Sequence, residues 1–577
     1  MKNSAIAQVF QDMADLLELK DDNRFKIRAY QRAAHTIDSL PVELEQLMNE
    51  GKLREIPGFG EAIANKITEL LTTGHLEAYE KLSAEFPENI LSLMAIPGVG
   101  PKTAMRLYKE LEVSDVDGLE QAIVDGQVAA LYRLGEKTAE NILHHIQALR
   151  RKDKRIPLGQ ILPLVEDIID SLNEMTDVRN LVPAGSVRRF RETIGDIDLM
   201  GSADDPQSVI EAFVKLPYVE EVLAKGPTKA SVIVEGGIQV DLRMVEHESF
   251  GSLLQYFTGS KEHNIILRDK TVRQGLSLSE YGITVTETGE LEKFKTEEEF
   301  YSRIGLQYIP PELREGRNEI EEAEKGTLPS LLEVSDIIGD FHVHTEWSDG
   351  SDSIEKMAST AINRGYKFLA ITDHSAGRGI AHGLDLERLK QQMADIREID
   401  RKLKGFRLFA GVEVDIRADG TLDYPDEVLG ELDIVVAAVH SAMGQDSERI
   451  TRRIVQAMEN PYVNVLAHPT CRIIGIREPI DVNMEEIFNA AVRTNTALEI
   501  NAMPDRLDLK DIHIMRAREL GVKLLIGTDA HSAGNLDLMR FGVGIARRGW
   551  CVAGDILNTQ PVAEVERFLK KGTTSNA

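Results

Sequence analysis

The sequence predicts a multidomain fold with an α-helical N-terminal region, a mixed α+β middle and a C-terminal parallel barrel. Three observations carry this expectation. A helix–turn–helix pattern with a Gly-x-Gly turn repeats near the N-terminus, and two strand-like segments carry carboxylates among alternating apolar residues, Asp196 and Asp198 in 196–200 and Asp241 in 238–245. From Asp340 onward, short β-rich apolar runs alternate with helix-patterned stretches, the order expected of parallel strands joined by crossover helices. At 577 residues and 64.2 kDa the chain exceeds one ordinary core, and its length alone suggests roughly three to five domains.

Composition excludes several classes. Hydrophobic content of 42% with 28% charged residues is ordinary for a soluble globular protein. No apolar run approaches the ~18–20 residues of a membrane span. The opening MKNSAIAQVFQDMADLLELKDD reads as an acidic amphipathic helix without the cationic start and apolar centre of a signal peptide, so a cytoplasmic protein is expected. Cys471 and Cys551 are too few for a disulfide framework and suit a reducing compartment. The net charge of −28 opposes long-range attraction to nucleic acid. The acidity is spread, with 29 basic and 36 acidic residues from Asp340 to the end and 38 and 59 before it. A local groove can still be positive, and affinity for nucleic acid is then expected to be modest and strongly salt-dependent.

The N-terminal region is read from its repeat. LREIPGFGEAIANKI (53–67) and LMAIPGVGPKTAMRL (93–107) match in frame, pairing Gly58 with Gly98, Gly60 with Gly100 and Ala64 with Ala104. A weaker third copy, LYRLGEKTAENIL (131–143), keeps Gly135 but has Arg133 in place of the first glycine. The glycines let backbone N–H groups converge on an anion where the second helix begins. The pattern resembles the helix–hairpin–helix motif, which implies that Gly58, Gly60, Gly98 and Gly100 grip DNA phosphates without reading bases. RRKDKR (150–155) followed by Pro157 marks the end of this region.

The middle region holds the first candidate site. In a strand alternate side chains share a face, so Asp196 and Asp198 point together while Ile197 and Leu199 turn to the core. IQVDLRMV places Asp241 with Gln239 and Arg243 on one face. If the two strands are neighbours, three carboxylates meet on an open sheet face. They would repel strongly unless divalent cations sat between them. Gly185 and Ser186, before a short helix, can donate N–H and hydroxyl groups to a triphosphate, with Arg189 as a charged clamp.

GSVRR…GDIDLM resembles the nucleotidyltransferase superfamily, and the upstream repeat together with YFTGSKEHNIILRDKTVRQGL (256–276) narrows the resemblance to family X DNA polymerases. The resemblance implies Mg²⁺ or Mn²⁺ on Asp196, Asp198 and Asp241, with Asp241 nearest the primer hydroxyl. It places Gly185, Ser186, Arg189 and Gly195 on the triphosphate, Tyr256 and Phe257 at the sugar, Gly259 among the nucleotide-binding residues, and Asn264 and Arg268 in the minor groove beside the nascent pair. Lys261 and His263 depart from vertebrate members, and a cation beside the nucleotide implies tighter binding of free nucleotide. Lys66 sits where the family's Schiff-base lyase nucleophile belongs, although Ala62 and Phe25 replace the lysine and histidine that hold the 5′-phosphate in lyase-competent relatives.

Eight of the 14 histidines lie from His342 onward, most of them at the C-terminal ends of apolar strands, where barrel enzymes keep their active sites. His342, His344, Asp349, Asp373-His374, Glu413, His440, His468, Asp529 and His531 form a donor set that suits two or three Mn, Zn or Fe ions. FHVHTEWSDG, ITDHS, AGVEV, VHS, AHP and GTDAH resemble the polymerase-and-histidinol-phosphatase (PHP) domain, a distorted (β/α)7 barrel. All nine ligand positions of that family have a matching residue here, Asp373 standing outside them, which implies a working phosphoesterase. His382 is left over as a candidate substrate contact, and His513 and Cys471 are assigned structural roles.

The expected boundaries are a lyase-like helical domain at 1–80, a fingers-like helical domain at 81–155, a palm at 156–250, a thumb at 251–317, a linker at 318–335 and the barrel at 336–577. The resemblance implies a monomeric DNA repair polymerase, acting in pathways such as base excision repair, that uses deoxynucleoside triphosphates on gapped or primed DNA. It also implies 3′→5′ exonuclease activity in the barrel, with abasic-site cleavage attributed to the type. Two alternatives remain: a phosphatase or nuclease whose polymerase half only binds DNA, and a non-enzymatic scaffold.

Overall fold

The computed structural model describes residues 3–570 apart from 39, 41–43, 57, 88, 95, 97, 98, 132, 133, 153, 154 and 378–380. The chain divides into two compact units, Met1–Lys154 and Arg155–Ala577. Among the described residues no helix is long and apolar enough to cross a membrane.

Among the described residues, the regular elements of the first unit are all helices. One apolar cluster runs through it from Ile6 to Ile146, so the division expected at residue 80 does not separate two cores. Helices too short to bury their apolar stripes alone share one interior. Helices Glu61–Thr73 and Pro101–Leu111 begin behind Gly60 and Gly100, which take extended backbone and offer no side-chain cap to the first turn. Those N–H groups therefore keep hydrogen-bonding capacity for an external acceptor. Gly58 has φ +87°, a conformation that favours glycine. Gly98 lies outside the described residues, as does Arg133 of the third copy. Gly135 opens the helix Gly135–Lys152.

The second unit begins with the palm, a five-stranded sheet in the order 179–183, 197–202, 238–245, 229–234 and 219–225. Helices Leu158–Met175 and Pro206–Phe213 bury their apolar stripes in the same core. The expected strands are present, with Ile197–Ser202 and Ile238–Val245 as parallel neighbours.

The thumb follows, with helices Phe250–Thr258 and Lys261–Val272, a three-stranded antiparallel sheet and helix Glu297–Arg303. The stretch 318–335, expected as a linker, is instead part of the thumb. Helix Glu319–Lys325 buries Ile320 and Ala323, and Leu328 and Leu331 join the same apolar cluster as Leu267, Phe300 and Trp550. Its run of glutamates masks this apolar spacing.

A charged knot closes the thumb. Buried Glu297 accepts hydrogen bonds from Arg188 and Arg314, each at 2.6 Å. Burial alone would raise its carboxyl; Arg314 and Arg188 outweigh burial and hold it at about 2. A depressed folded-state value contributes stability above the ordinary 4.5, and that contribution is lost as pH falls towards 2. Thermal unfolding measured from pH 5 to pH 3 is expected to fall less steeply in Glu297→Gln than in the parent, from a lower starting midpoint.

Seven parallel strands then run in sequence order around the barrel, from Gly339–Asp340 to Leu524–Gly527. A parallel bridge between Val343 and Ala530 brings the first and last strands together, with His344 N–H donating to the Ala530 carbonyl at 2.8 Å. Apolar side chains of palm and barrel form one continuous core.

Candidate active sites

In the palm, Asp198 and Asp241 are direct register partners on the two central parallel strands. The expected alternation holds: Ile197, Leu199, Val240 and Leu242 are buried, whereas Asp198 and Asp241 are half-buried. Asp196, also half-buried, lies one residue before its strand. The Asp241 carboxylate accepts hydrogen bonds from Ser231 on the adjacent strand and from Gln239 at 2.9 Å. Among the described residues, every group of side chains whose ligand atoms converge within 4.8 Å belongs to the barrel.

Gly185 rests against Asp198. It has φ +54°, and a Cβ built there would lie 2.5 Å from Asp198 Oδ2. The Ala184 N–H donates to the Asp198 carbonyl at 2.8 Å. The Gly-Ser turn is thus fixed directly over the carboxylate it would serve. Gly185→Ala is expected to combine a left-handed backbone penalty with this clash, lowering kcat/KM for single-nucleotide incorporation by about tenfold or more.

Arg189 is held elsewhere. Its Nε donates to Glu315 at 3.2 Å and its NH1 to the Thr258 carbonyl at 2.5 Å, a geometry that ties palm to thumb. The cation at the edge of the carboxylates is Arg155, whose NH1 would lie 3.4 Å from a Cβ on Gly195 and whose guanidinium interacts electrostatically with Asp196. Sequence reasoning passed over Arg155 as part of a charged run. The signal was its place immediately before Ile156–Pro157, a short strand paired with Thr193–Ile194 next to Gly195.

Tyr256 and Phe257 end the first thumb helix, with ring centroids 5.2 Å apart. Arg243, on the Asp241 face, stacks 4.5 Å from the Phe257 ring centroid. Asn264 donates to the Tyr256 carbonyl at 2.8 Å, and Arg268 lies 6.0 Å from the Tyr256 ring. Gly259 abuts Arg189, and Lys261 is exposed. His263 corrects an expectation: it is fully buried, its ring bonded to Glu319 at 2.8 Å and Tyr301 at 2.9 Å. Burial pushes its pKa down, so it presents no cation to a nucleotide. Lys66 lies half-buried on the helix Glu61–Thr73 of the first unit.

The barrel gathers its donors more tightly. His344, Asp349, His374 and His531 form one group, His342, His344 and Asp529 a second, and His374, Glu413 and His440 a third. His468 Nε2 lies 3.0 Å from Glu413 Oε1. All nine expected ligand residues therefore meet at the strand ends. Three of the rings are aimed by their other nitrogen: His342 Nδ1 faces Glu499 at 2.6 Å, His440 Nδ1 faces Asp415 at 2.5 Å and His531 Nδ1 faces the Asp529 carbonyl at 2.8 Å. Such bonds select the tautomer that presents Nε2 as a ligand. The buried Nδ1 atoms of His344 and His374, and Oε2 of Glu413, have no hydrogen-bond partner, although His374 Nδ1 and Glu413 Oε2 lie only 2.6 Å apart. Buried polar atoms crowded together without hydrogen bonds fit a multinuclear metal centre. Burial and the His374 ring push His344 down to about 4, leaving it neutral, the form that ligates.

His468 and Asp529 have φ +28° and +53°, so two of the clustered residues sit on strained backbone, as functional residues often do. Asp373 is a buttress and not a ligand: it accepts from Thr345 N–H at 2.8 Å, the Thr345 hydroxyl at 2.6 Å, Ser348 and Gln392, bracing the loop that carries Asp349. Sequence reasoning missed Glu499, Asp415 and Arg506, whose Nε lies 3.7 Å from Asp529 Oδ2. The alternation of Glu499 and Asn501 at a strand end was the available sign. His382 is exposed and its carbonyl accepts from Arg388, whereas His513 is half-buried and Cys471 buried, the thiol raised by burial to about 12.

Comparison with known proteins agrees with this geometry. Residues 1–76 match the helix-hairpin-helix domain family, 90–148 the SAM-like helix-hairpin-helix tandem, 253–315 the DNA polymerase beta thumb and 340–503 the PHP domain. The DNA polymerase/3'-5' exonuclease PolX of Bacillus subtilis (strain 168) is 40% identical over 573 residues, covering 99% of this chain and 100% of its own. A probable phosphatase of Thermoanaerobacter sp. (strain X514) is 29% identical over 41% of this chain and 95% of its own. A probable phosphatase of Caldanaerobacter subterraneus subsp. tengcongensis is 31% identical over 36% of this chain and 81% of its own. With a relative matched from end to end, and its helix-hairpin-helix, thumb and PHP segments in order, the chain belongs to the family X DNA polymerases that carry a C-terminal PHP domain.

Proposed function

We propose that the chain fills short gaps in DNA during repair, including base excision repair, using deoxynucleoside triphosphates, and that its barrel degrades 3′ ends. The observation that carries the synthetic half is the register pairing of Asp198 with Asp241 beneath the Gly185 turn. Asp196, Asp198 and Asp241 would hold Mg²⁺ or Mn²⁺, which supply neutralisation of the charge on the transferring phosphoryl group. Ser231 and Gln239 orient the Asp241 carboxylate towards the primer end. Gly185 and Ser186 offer donors to the triphosphate, and Arg155 adds positive charge beside Asp196. Tyr256 and Phe257 present an aromatic wall to the sugar, braced by Arg243.

In the barrel the nine clustered residues would hold two or three Mn, Zn or Fe ions, whose chemistry is the polarisation of a phosphodiester and activation of water. The protein's part is to aim the rings of His342, His440 and His531, through Glu499, Asp415 and the Asp529 carbonyl. Cleavage at abasic sites is assigned to the same centre. The test is a 5′-labelled primer on a gapped duplex. With nucleotides and Mg²⁺ or Mn²⁺ the primer should lengthen to the gap size; without nucleotides and with Mn²⁺ it should shorten. A chain that does neither refutes the assignment.

A further inference from the structure

We propose that Arg472 is a positioning residue shared by both reactions, clamping the palm loop 184–196 and the barrel loop 503–509 in one fixed relation; this rests on the two-site reading above. Arg472 lies four residues beyond the ligand His468 and is 7% exposed. Its guanidinium works in two directions. Towards the palm, NH1 and NH2 form a bidentate pair with Glu192 at 3.0 and 2.9 Å. Towards the barrel, Nε donates to the Arg506 carbonyl at 2.8 Å and NH2 also donates to the Leu507 carbonyl.

Each loop so held leads into a reaction centre. Glu192 lies between Ser186 and Asp196, and its carbonyl accepts the Leu158 N–H at 2.9 Å, so both its side chain and its backbone are fixed. Two further contacts hang the same loop on the barrel. Phe190 packs on Gly544, where a Cβ would fall 2.2 Å from its ring, and Arg548 donates to the Arg189 carbonyl at 2.6 Å. On the other side, loop 503–509 delivers Arg506 to the ligand Asp529. Gly159 of the palm presses on this loop at Pro504, where its missing Cβ would come within 2.1 Å.

A buried ion pair loses hydration that roughly cancels its attraction, so its yield is geometry more than stability. Arg472 satisfies this description: a planar fork matched to one carboxylate and two carbonyls, which a lysine cannot reproduce. Arg472 thus holds the hydrolytic loop within the barrel and, through Glu192, fixes the polymerase loop to it alongside the Phe190 and Arg548 contacts.

The experiment compares the full-length chain with Arg472→Lys and Glu192→Gln. In Arg472→Lys the KM for the incoming nucleotide should rise about tenfold with a smaller change in kcat, and 3′ degradation should fall about tenfold, the scale of a misplaced reacting group. In Glu192→Gln the nucleotide KM should rise while degradation stays within twofold of the parent, because Arg472 still holds the Arg506 and Leu507 carbonyls. A general folding defect would lower both activities together in both variants, with the melting temperature, and would overturn the proposal. Kinetics within twofold of the parent in folded Arg472→Lys would overturn it too. If the unmodified chain neither extends nor degrades, the two-site reading itself has failed, which the parent arm reveals independently of the variants.

Discussion

Asp241→Ala is expected to reduce primer extension on a gapped duplex by about three orders of magnitude, the scale of removing one preorganised charged group from an active site, while 3′ degradation by the same protein continues. The expectation follows from register. Asp241 faces Asp198 across a parallel pair, and the neighbours on either side, Val240 and Leu242, are wholly buried. The carboxylate is half-exposed and held by Ser231 and Gln239, whose own side chains regain water when it is removed. The fold should therefore survive, with a melting temperature close to the parent's. Asp196 and Asp198 alone would offer a divalent ion a third less carboxylate charge than the three together, and raising Mn²⁺ should not restore the rate. Extension that persists at the parental rate would remove Asp241 from the synthetic site.

What the sequence made legible was whatever depends on local period. The two-residue alternation put Asp198 and Asp241 on the half-buried face of their strands, and the position of histidines after apolar runs put six of them, with Asp349, Glu413 and Asp529 nearby, at one end of the barrel. Contacts between distant segments left no such trace. Arg472 and Glu192 are 280 residues apart, and nothing near either announces the other. Arg189 illustrates the cost: motif position assigned it to the triphosphate, whereas Glu315 and the Thr258 carbonyl engage its guanidinium. His263 shows the same limit from burial, because Tyr301 and Glu319, which enclose it, belong to later elements of the thumb. The supposed linker failed for a different reason. Glu321, Glu322 and Glu324 lie on the outer side of helix Glu319–Lys325, and four apolar residues scattered over twelve positions are too sparse to read as a core stripe until the thumb sheet is in place.

Replacing His344 and His468 together is expected to abolish 3′ degradation to below detection while leaving extension within about twofold, a change inside the range of surface-level perturbations. His344 is the informative choice because it belongs to two of the three ligand groups, one with Asp349, His374 and His531 and one with His342 and Asp529. His468 approaches Glu413, which also serves His374 and His440, so its loss reaches the third group. Together the substitutions strip a ligand from every part of the centre, and metal analysis of the purified variant should show at least one ion fewer per chain than the parent. Extension should persist for a reason visible in the backbone. The His468 N–H donates to Glu499 at 2.8 Å, and the Thr470 N–H donates to Asp508 at 2.9 Å; neither bond uses the imidazole. Alanine keeps both, and with them the course of the loop to Arg472. Should extension fall in step with degradation while the protein stays folded, the ligands themselves, and not only the loop that carries them, would be shaping the palm, and the two activities could not be assigned to separable centres.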